Sequence, residues 1–284
     1  MSPRLADAAA RLRAAALPAD LCDKWSALIA TLTGFGSAVV AYSGGVDSGL
    51  LAYAVWLALG ERMIAVTVSS PLELPGQTAQ AQAFAGEAGF PHTSLALDVL
   101  DNPDVVRNPP ERCYFCKRSI LLFLQAYATL HGYAMVAEGQ NVDDSADYRP
   151  GRRAVQETGT RSPLLDSGLT KADIRALAQA LGLSIWYLPS SPCLATRIPY
   201  GEPITATALS RVAAAEEFLH EMGIKVVRVR AHGGLARVEV GEDDLAQVLA
   251  AREAVVELLR ELGFRYVTLD LAGYRQGSMN EGLP

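Results

Sequence analysis

One stretch, residues 37–59, limits what this chain can fold into more than any other. Residues 37–42 form an apolar run of strand length, and residues 46–59 are apolar over a length that suits a helix. Between them lies Ser43-Gly44-Gly45-Val46-Asp47-Ser48. Strand, glycine-rich turn and helix is how α/β proteins hold phosphate. The two glycines allow a tight curl with φ values that other residues resist. The first N–H groups of the helix have no intrahelical partner, and the helix dipole favours an anion beside them. Ser43 and Ser48 add hydroxyl donors. Two commoner phosphate loops are excluded: no Gly-Lys-Ser/Thr follows a longer spacer, and GxGxxG does not fit. An ordinary Ser/Gly turn would reproduce this whole run, between a strand and a helix, only by coincidence.

The pattern then repeats. Strands are predicted over 63–68, 92–97 and 134–137, and helices over about 76–89, 113–131 and 170–181. Such alternation predicts an α/β fold with a parallel sheet covered on both faces. With 284 residues, 50% of them apolar and 20% charged, the chain can bury that core and still build a second domain. Ligands of parallel sheets bind beyond the carboxyl ends of the strands. The loops after Val68 and Ala137, and the long loop before Cys113, are therefore expected to meet at a nucleotide. The loop at 138–151, which includes Gly139 and Asp143, is dense in carboxylates and suits a metal and nucleotide loop better than a merely solvated one. Prolines in 98–111 are expected to hold that loop extended. Residues 1–33 read as Ala-rich helices broken at Pro18. Pro189, Pro192 and Pro199 stiffen a linker. It divides an expected phosphate-binding domain, 1–188, from a small α+β domain, 189–284, with a helix over 206–222 and strands over 225–231, 235–240 and 265–269.

The net charge of −6 argues against nucleic acid as a partner, which would call for a basic face. Residues 1–17 lack the apolar core of a signal peptide, and the apolar helix at 46–59 is too short to span a bilayer. The expected location is cytoplasmic, with no membrane partner. In a reducing compartment the four cysteines point to chemistry or metal binding rather than disulfides.

Cys113 and Cys116 open a predicted helix, Cys193 lies in the proline-bracketed loop, and Cys22 reads as a packing residue. Two thiols at a helix start can share one metal centre, and the helix N-terminus with Arg112 and Lys117 favours thiolate. Structural zinc wants four ligands, and neither Cys22 nor the scattered histidines supply the fourth. Three thiolates suit a four-iron cluster with one open iron; a redox pair and plain packing stay open as alternatives. Further on, Arg228 and Arg230 alternate with Val227 and Val229, so they share a strand face, as do Arg237 and Glu239 on the next strand. An exposed hairpin with cross-strand ion pairs and a phosphate clamp fit this spacing equally well.

The run Ser43 to Ser48 is the signature of the PP-loop ATP pyrophosphatases, and the chain resembles that superfamily. Residues 108–117, 138–151 and 192–201, together with the Arg228/Arg230 hairpin, narrow the resemblance to the LarE-type ATP-dependent sulfur transferases over nearly the whole length. Those enzymes act in making the nickel-pincer cofactor of lactate racemase. The resemblance implies that ATP, with Mg²⁺, adenylates a carboxylate of pyridinium-3,5-dicarboxylate mononucleotide and releases pyrophosphate. A sulfur nucleophile then displaces AMP and leaves a thiocarboxylate. It implies an ATP site of Ser43, Gly44, Gly45, Val46, Asp47, Ser48, Val68, Gly139 and Asp143. Asp47 would assist Mg²⁺ and Lys117 would balance phosphoryl charge, while Arg228 and Arg230, with Arg197, would hold the substrate phosphate. Family members are of two kinds. One sacrifices the sulfur of a single cysteine, matching Cys193; the other holds a 4Fe-4S cluster on three, matching Cys113, Cys116 and Cys193. This chain has all three, so the cluster kind is expected, with sulfide or another sulfur donor. Homo-oligomers, hexamers included, are implied too. The alternatives are another PP-loop enzyme or a non-catalytic nucleotide sensor on the same fold. A tRNA thiolase would be expected to carry a basic RNA-binding appendage, and an amide-forming synthetase using glutamine an ammonia-producing partner or domain.

Overall fold

The computed structural model describes residues 3–145, 150–189 and 191–275. Of the motif positions, 146–149 and Ser190 lie outside the described residues. The elements follow in the order α1 (Pro3–Ala14), α2 (Ala19–Thr33), β1 (Ala38–Ala41), α3 (Val46–Leu59), β2 (Met63–Ser69), α4 (Gln77–Ala88), β3 (His92–Ala96), α5 (Pro103–Val106), α6 (Arg112–His131), β4 (Met135–Ala137), α7 (Gly151–Glu157), α8 (Pro163–Asp166), α9 (Lys171–Ala180), α10 (Ala206–Glu221), β5 (Val227–His232), β6 (Leu235–Val240), α11 (Leu245–Ala250), α12 (Arg252–Glu261) and β7 (Tyr266–Leu269). They form two compact units: the first is the chain up to Ser70 with 76–97 and 113–191, and the second takes 71–75, 98–112 and the chain from Pro192 on.

The first unit is built on a four-stranded parallel sheet in the order β3-β2-β1-β4. Its two faces follow from the period-two alternation of strands. Ala38, Val40, Met63, Ala65 and Ala137 point into a large core shared with α2, α3 and α9. Val39, Val66 and Val136 point the other way, onto Leu124 and Ala128 of α6. Helix α3 is buried almost all round, which explains why its sequence lacks a polar face. The α/β parallel-sheet expectation is met, with strand ends shifted by a residue or two. The loop at 98–111 is a correction. It is not extended throughout: Pro103 stands at the first position of α5, where its missing N–H costs nothing, and the Asn102 side chain caps Asp104 N at 2.9 Å. Helices α5, α7 and α8 are too short to show helical periodicity, so the sequence pattern does not reveal them.

The second unit is α+β, as expected. Its three-stranded sheet has the order β5-β6-β7, with β5 and β6 antiparallel and β6 and β7 parallel. The parallel pair needs a crossover, and α11 and α12 supply it. Helix α10 covers β5, and its buried Leu209, Val212 and Leu219 join Val227, Val229, Val238 and Val240 as apolar core residues of this unit. Among the described residues, no helix is long and apolar enough to cross a membrane.

Candidate active site

In the first unit the chain runs outward from β1 through β2 to β3, then returns to place β4 on the other side of β1. The carboxyl ends of β1 and β4 therefore flank the switch point where such sheets bind ligands. The loop 43–48 leaves β1 there. Gly44 has φ +80°, and a Cβ on it would lie 3.0 Å from that of Ala81, so both the turn and the close approach of α4 require glycine. The Ser48 hydroxyl accepts from Ser43 N at 3.2 Å and lies 3.1 Å from the Ser43 hydroxyl, which ties the two ends of the loop together. Gln77 at the start of α4 donates to Ser43 O at 3.2 Å. Ser43 and Gly45 stay exposed, and Val46 is buried. The loop after β4 rests directly on this turn: a Cβ on Gly139 would stand 2.9 Å from Ser48 N. Two loops at the carboxyl ends of neighbouring strands, those after β1 and β4, are thus in contact. Val68 sits at the carboxyl end of β2, half-buried, with its side chain in the core on the α6 side.

Two ion pairs converge on this end of the sheet. Lys171, the first residue of α9, pairs with Asp47, and its backbone N donates 2.6 Å to the exposed Asp143. Lys117 of α6 pairs at 2.8 Å with Glu138, which is buried and also accepts from the Ser162 hydroxyl and from Gln140 N at 3.2 Å. Asp47 differs from Glu138. Among the described residues its Oδ1 is buried without a hydrogen-bond partner, although the Asn141 side chain is near enough to help hold the carboxyl down. Burial pushes the Asp47 carboxyl above its ordinary value; Lys171 opposes that shift, and the negative charge of Asp144 adds to it. Asp144 is fixed by reciprocal bonds with Asn141, at 3.0 and 3.3 Å. An orphaned carboxylate oxygen beside a second carboxylate fits a hard cation, which takes one or two protein carboxylates and completes its shell with phosphate oxygens and water. Asp47 and Asp144 would hold a Mg²⁺ brought with ATP. Glu138, Asp144, Ser162 and Lys171 were not singled out from sequence. Lys171 had a signal: a cation in the first turn of a helix opposes the helix dipole.

In the second unit the centre of the arginine hairpin is buried, with Arg228 and Arg237 half-buried beside it. Arg230 and Glu239 are 4% and 1% accessible and form two bonds of 2.9 Å, while Arg237 adds a third to Glu239 at 2.7 Å. Arg197, fully buried, grips Glu216 of α10 with bonds of 2.9 and 2.8 Å. Glu216 also accepts from Val229 N at 2.9 Å, so it satisfies an outward N–H of the edge strand β5. These arginines hold the Cys193 loop by its carbonyls: Arg197 donates to Pro192 O at 2.7 Å and Cys193 O at 3.1 Å, Arg230 to Thr196 O at 2.7 Å, and Arg112 to Ala195 O at 3.1 Å. Cys193 itself is half-buried. Among the described residues Arg228 bonds a carbonyl, Val227 O at 2.6 Å, and no side chain, with Tyr274 5.1 Å away in a cation–π position. Burial, and then the charges of Arg197 and Arg230, hold Arg228 below its ordinary value. Arg197, Arg228, Arg230 and Arg237 set four guanidinium groups against the carboxylates of Glu216, Glu239 and Asp270, so the cluster holds one cation in excess and Arg228 suits an anion.

Cys113 and Cys116 lie in the first turn of α6, in the first unit; Cys193 belongs to the second. Cys113 is exposed and Cys116 half-buried. Tyr114 anchors this turn to α7 through a 2.7 Å bond to Glu157 and the Arg153 guanidinium 3.5 Å over its ring. The two cations flanking the pair are engaged elsewhere, Lys117 by Glu138 and Arg112 by Asn108 and Ala195 O. Among the described residues, no group of three Cys, His, Asp or Glu side chains is gathered for a metal ion. The three thiols are donors of the type that a four-iron cluster takes.

No protein-family model matches the chain. An uncharacterised protein of Synechocystis sp. is 42% identical over 227 residues, 79% of this chain and 85% of that protein. Pyridinium-3,5-bisthiocarboxylic acid mononucleotide synthase of Lactiplantibacillus plantarum is 38% identical over 223 residues, 78% of this chain and 81% of the relative. An uncharacterised protein of Methanocaldococcus jannaschii is 34% identical over 182 residues, covering 64% of this chain and 71% of its own length. A parallel sheet with Ser43 to Ser48 at its switch point has the architecture of the PP-loop ATP-using enzymes. Within that class the chain belongs to the LarE family of ATP-dependent sulfur transferases.

Proposed function

We propose that this enzyme converts a carboxylate of pyridinium-3,5-dicarboxylate mononucleotide to a thiocarboxylate, a step in making a nickel-pincer cofactor. The observation that carries the reading is the 38% identity to the Lactiplantibacillus synthase, over 81% of its length, in a chain whose phosphate loop is intact. A substrate carboxylate oxygen attacks the α-phosphorus of ATP, the bond to the bridging oxygen breaks, and pyrophosphate leaves. A sulfur nucleophile then attacks the acyl carbon and AMP departs with the C–O bond. The loop from Ser43 to Ser48, with Gly139 against it, cradles phosphate; Val68 and Asp143 border the nucleotide; Lys117 supplies fixed positive charge to the phosphoryl group. Arg228 takes the substrate phosphate, with Arg230 and Arg197 behind it. Mg²⁺ at Asp47 would offset phosphate charge. For the sulfur source we propose a 4Fe-4S cluster on Cys113, Cys116 and Cys193, supported by the three thiol donors in this chain. A homo-oligomer and a cytoplasmic location complete the proposal.

The test is purified protein with ATP, Mg²⁺, sulfide and the pyridinium mononucleotide. AMP and pyrophosphate should form in step with a product carrying sulfur in place of oxygen, and Asp47→Asn should abolish both. ATP turnover without sulfur incorporation, with any pyridine carboxylate tried, would refute the substrate assignment.

A further inference from the structure

We propose that Lys171 is an exchangeable cation of the adenylation site: it neutralises Asp47 in the nucleotide-free enzyme, gives up that carboxylate to the incoming metal, and turns its ammonium to the phosphate oxygens of ATP. The inference rests on the reading of the first unit as an ATP site. Lys171 and Lys117 both sit at ion pairs there, but their partners differ. Glu138, which holds Lys117, is buried and has a full set of donors; removing its cation would leave an uncompensated buried charge. Asp47, which holds Lys171, has one buried oxygen that no hydrogen bond reaches among the described residues, the Asn141 side chain approaching without closing one, and a second carboxylate, Asp144, nearby. It is the carboxylate of the two that a metal would claim. Lys171 also stands where a lysine is otherwise unfavourable, at the first position of α9 behind the Thr170 cap. Its backbone is pinned by Asp143 while its side chain is about one-third accessible, so the ammonium can swing without moving the helix. The side chain therefore keeps Asp47 from standing as an unpaired carboxylate before ATP binds and becomes a phosphate ligand afterwards.

Mn²⁺ binding to the nucleotide-free protein, followed by electron paramagnetic resonance, separates this from a plain structural ion pair. If Lys171 competes with the metal, Lys171→Met should tighten Mn²⁺ binding about tenfold, the scale of one charge-assisted interaction. The same variant should weaken ATP binding measured in the presence of EDTA, where no metal contributes, and slow pyrophosphate formation about a hundredfold, as when one preorganised phosphoryl contact is lost. Lys171→Arg should restore part of the ATP affinity. Unchanged Mn²⁺ and ATP affinities in a folded Lys171→Met protein would overturn the proposal, whatever the activity. If Lys171→Met does not fold, Lys171→Gln carries the same comparison. Absence of pyrophosphate formation in the unaltered enzyme would instead count against the functional reading, while the Mn²⁺ titration still tests Lys171.

Discussion

At the scale of single residues, the arginines of the second unit share a chemistry but not a role. Arg230 and Arg197 spend their guanidinium groups on buried carboxylates and on carbonyls of the Cys193 loop. Arg228 has a carbonyl, an aromatic ring, two like charges and the Glu216 carboxylate nearby, but no ion pair of its own among the described residues. The consequence is a split that two substitutions should expose. Arg228→Ala should leave the fold and ATP binding intact and weaken the pyridinium mononucleotide about tenfold or more, since a charge-assisted bond contributes roughly 1.5–3 kcal/mol. Arg230→Ala removes the main partner of Glu239 and should cost stability, on the order of 3–5 kcal/mol for a broken buried pair, visible as a lower midpoint in thermal denaturation. Isothermal titration with each ligand, beside the melting curves, checks both. An Arg228→Ala protein that binds the mononucleotide normally would remove it from the phosphate site. The alternation of Arg and Val was plain in the sequence, but its burial was not. A polar strand face reads the same whether its partners are water or another element, and Glu216 reaches Arg197 from 19 residues away.

At the scale of elements, β1, its turn and α3 were legible because each is specified locally: an apolar run, two glycines, and a helix buried on every side. The sheet rule then carried the argument one step further, to the loop after β4. What no local rule supplies is the partner across a long separation. Asp47 meets Lys171 over 124 residues of chain, and the only trace of that pairing is a lysine in the wrong turn of α9. Contact between the two loops gives an element-level prediction. A methyl group at position 139 would meet the backbone of Ser48 at 2.9 Å, not a flexible side chain that could move aside. Gly139→Ala should therefore push the loops apart, costing about 1–3 kcal/mol of overpacking. That strain should fall on the phosphate loop, raising KM for ATP several-fold, with less effect on binding of the pyridinium mononucleotide. Steady-state kinetics with each substrate varied in turn is the measurement; equal changes in both constants would mean the strain spreads through the fold instead.

At the scale of the whole molecule, the open chemical choice is where the sulfur comes from, and the cysteines divide it. Cys113 and Cys116 start a helix in one unit, anchored through Tyr114, and Cys193 sits in the other on a loop whose carbonyls are gripped by Arg112, Arg197 and Arg230. Both anchors suit ligands held in fixed geometry. The sequence supplied the donor count and no more, because spacing along a chain specifies a metal site only when the ligands are neighbours on it. If the three thiolates share a 4Fe-4S cluster, protein prepared without oxygen should be brown, with iron and sulfide in equal amounts. Replacing any one of the three cysteines should remove both the colour and repeated turnover with added sulfide. A sacrificial route makes a different set of demands. Cys193 alone would attack the adenylated carboxylate as a thioester, and β-elimination would release the thiocarboxylate and leave dehydroalanine. Such protein would be colourless, Cys113→Ala would still transfer sulfur, and each chain would act once, losing the mass of hydrogen sulfide at position 193. Intact-protein mass spectrometry after one turnover, on anaerobically prepared enzyme, reads the two routes apart: an unchanged mass with continued product formation is the result the cluster requires, and a single dehydroalanine at position 193 would sink it.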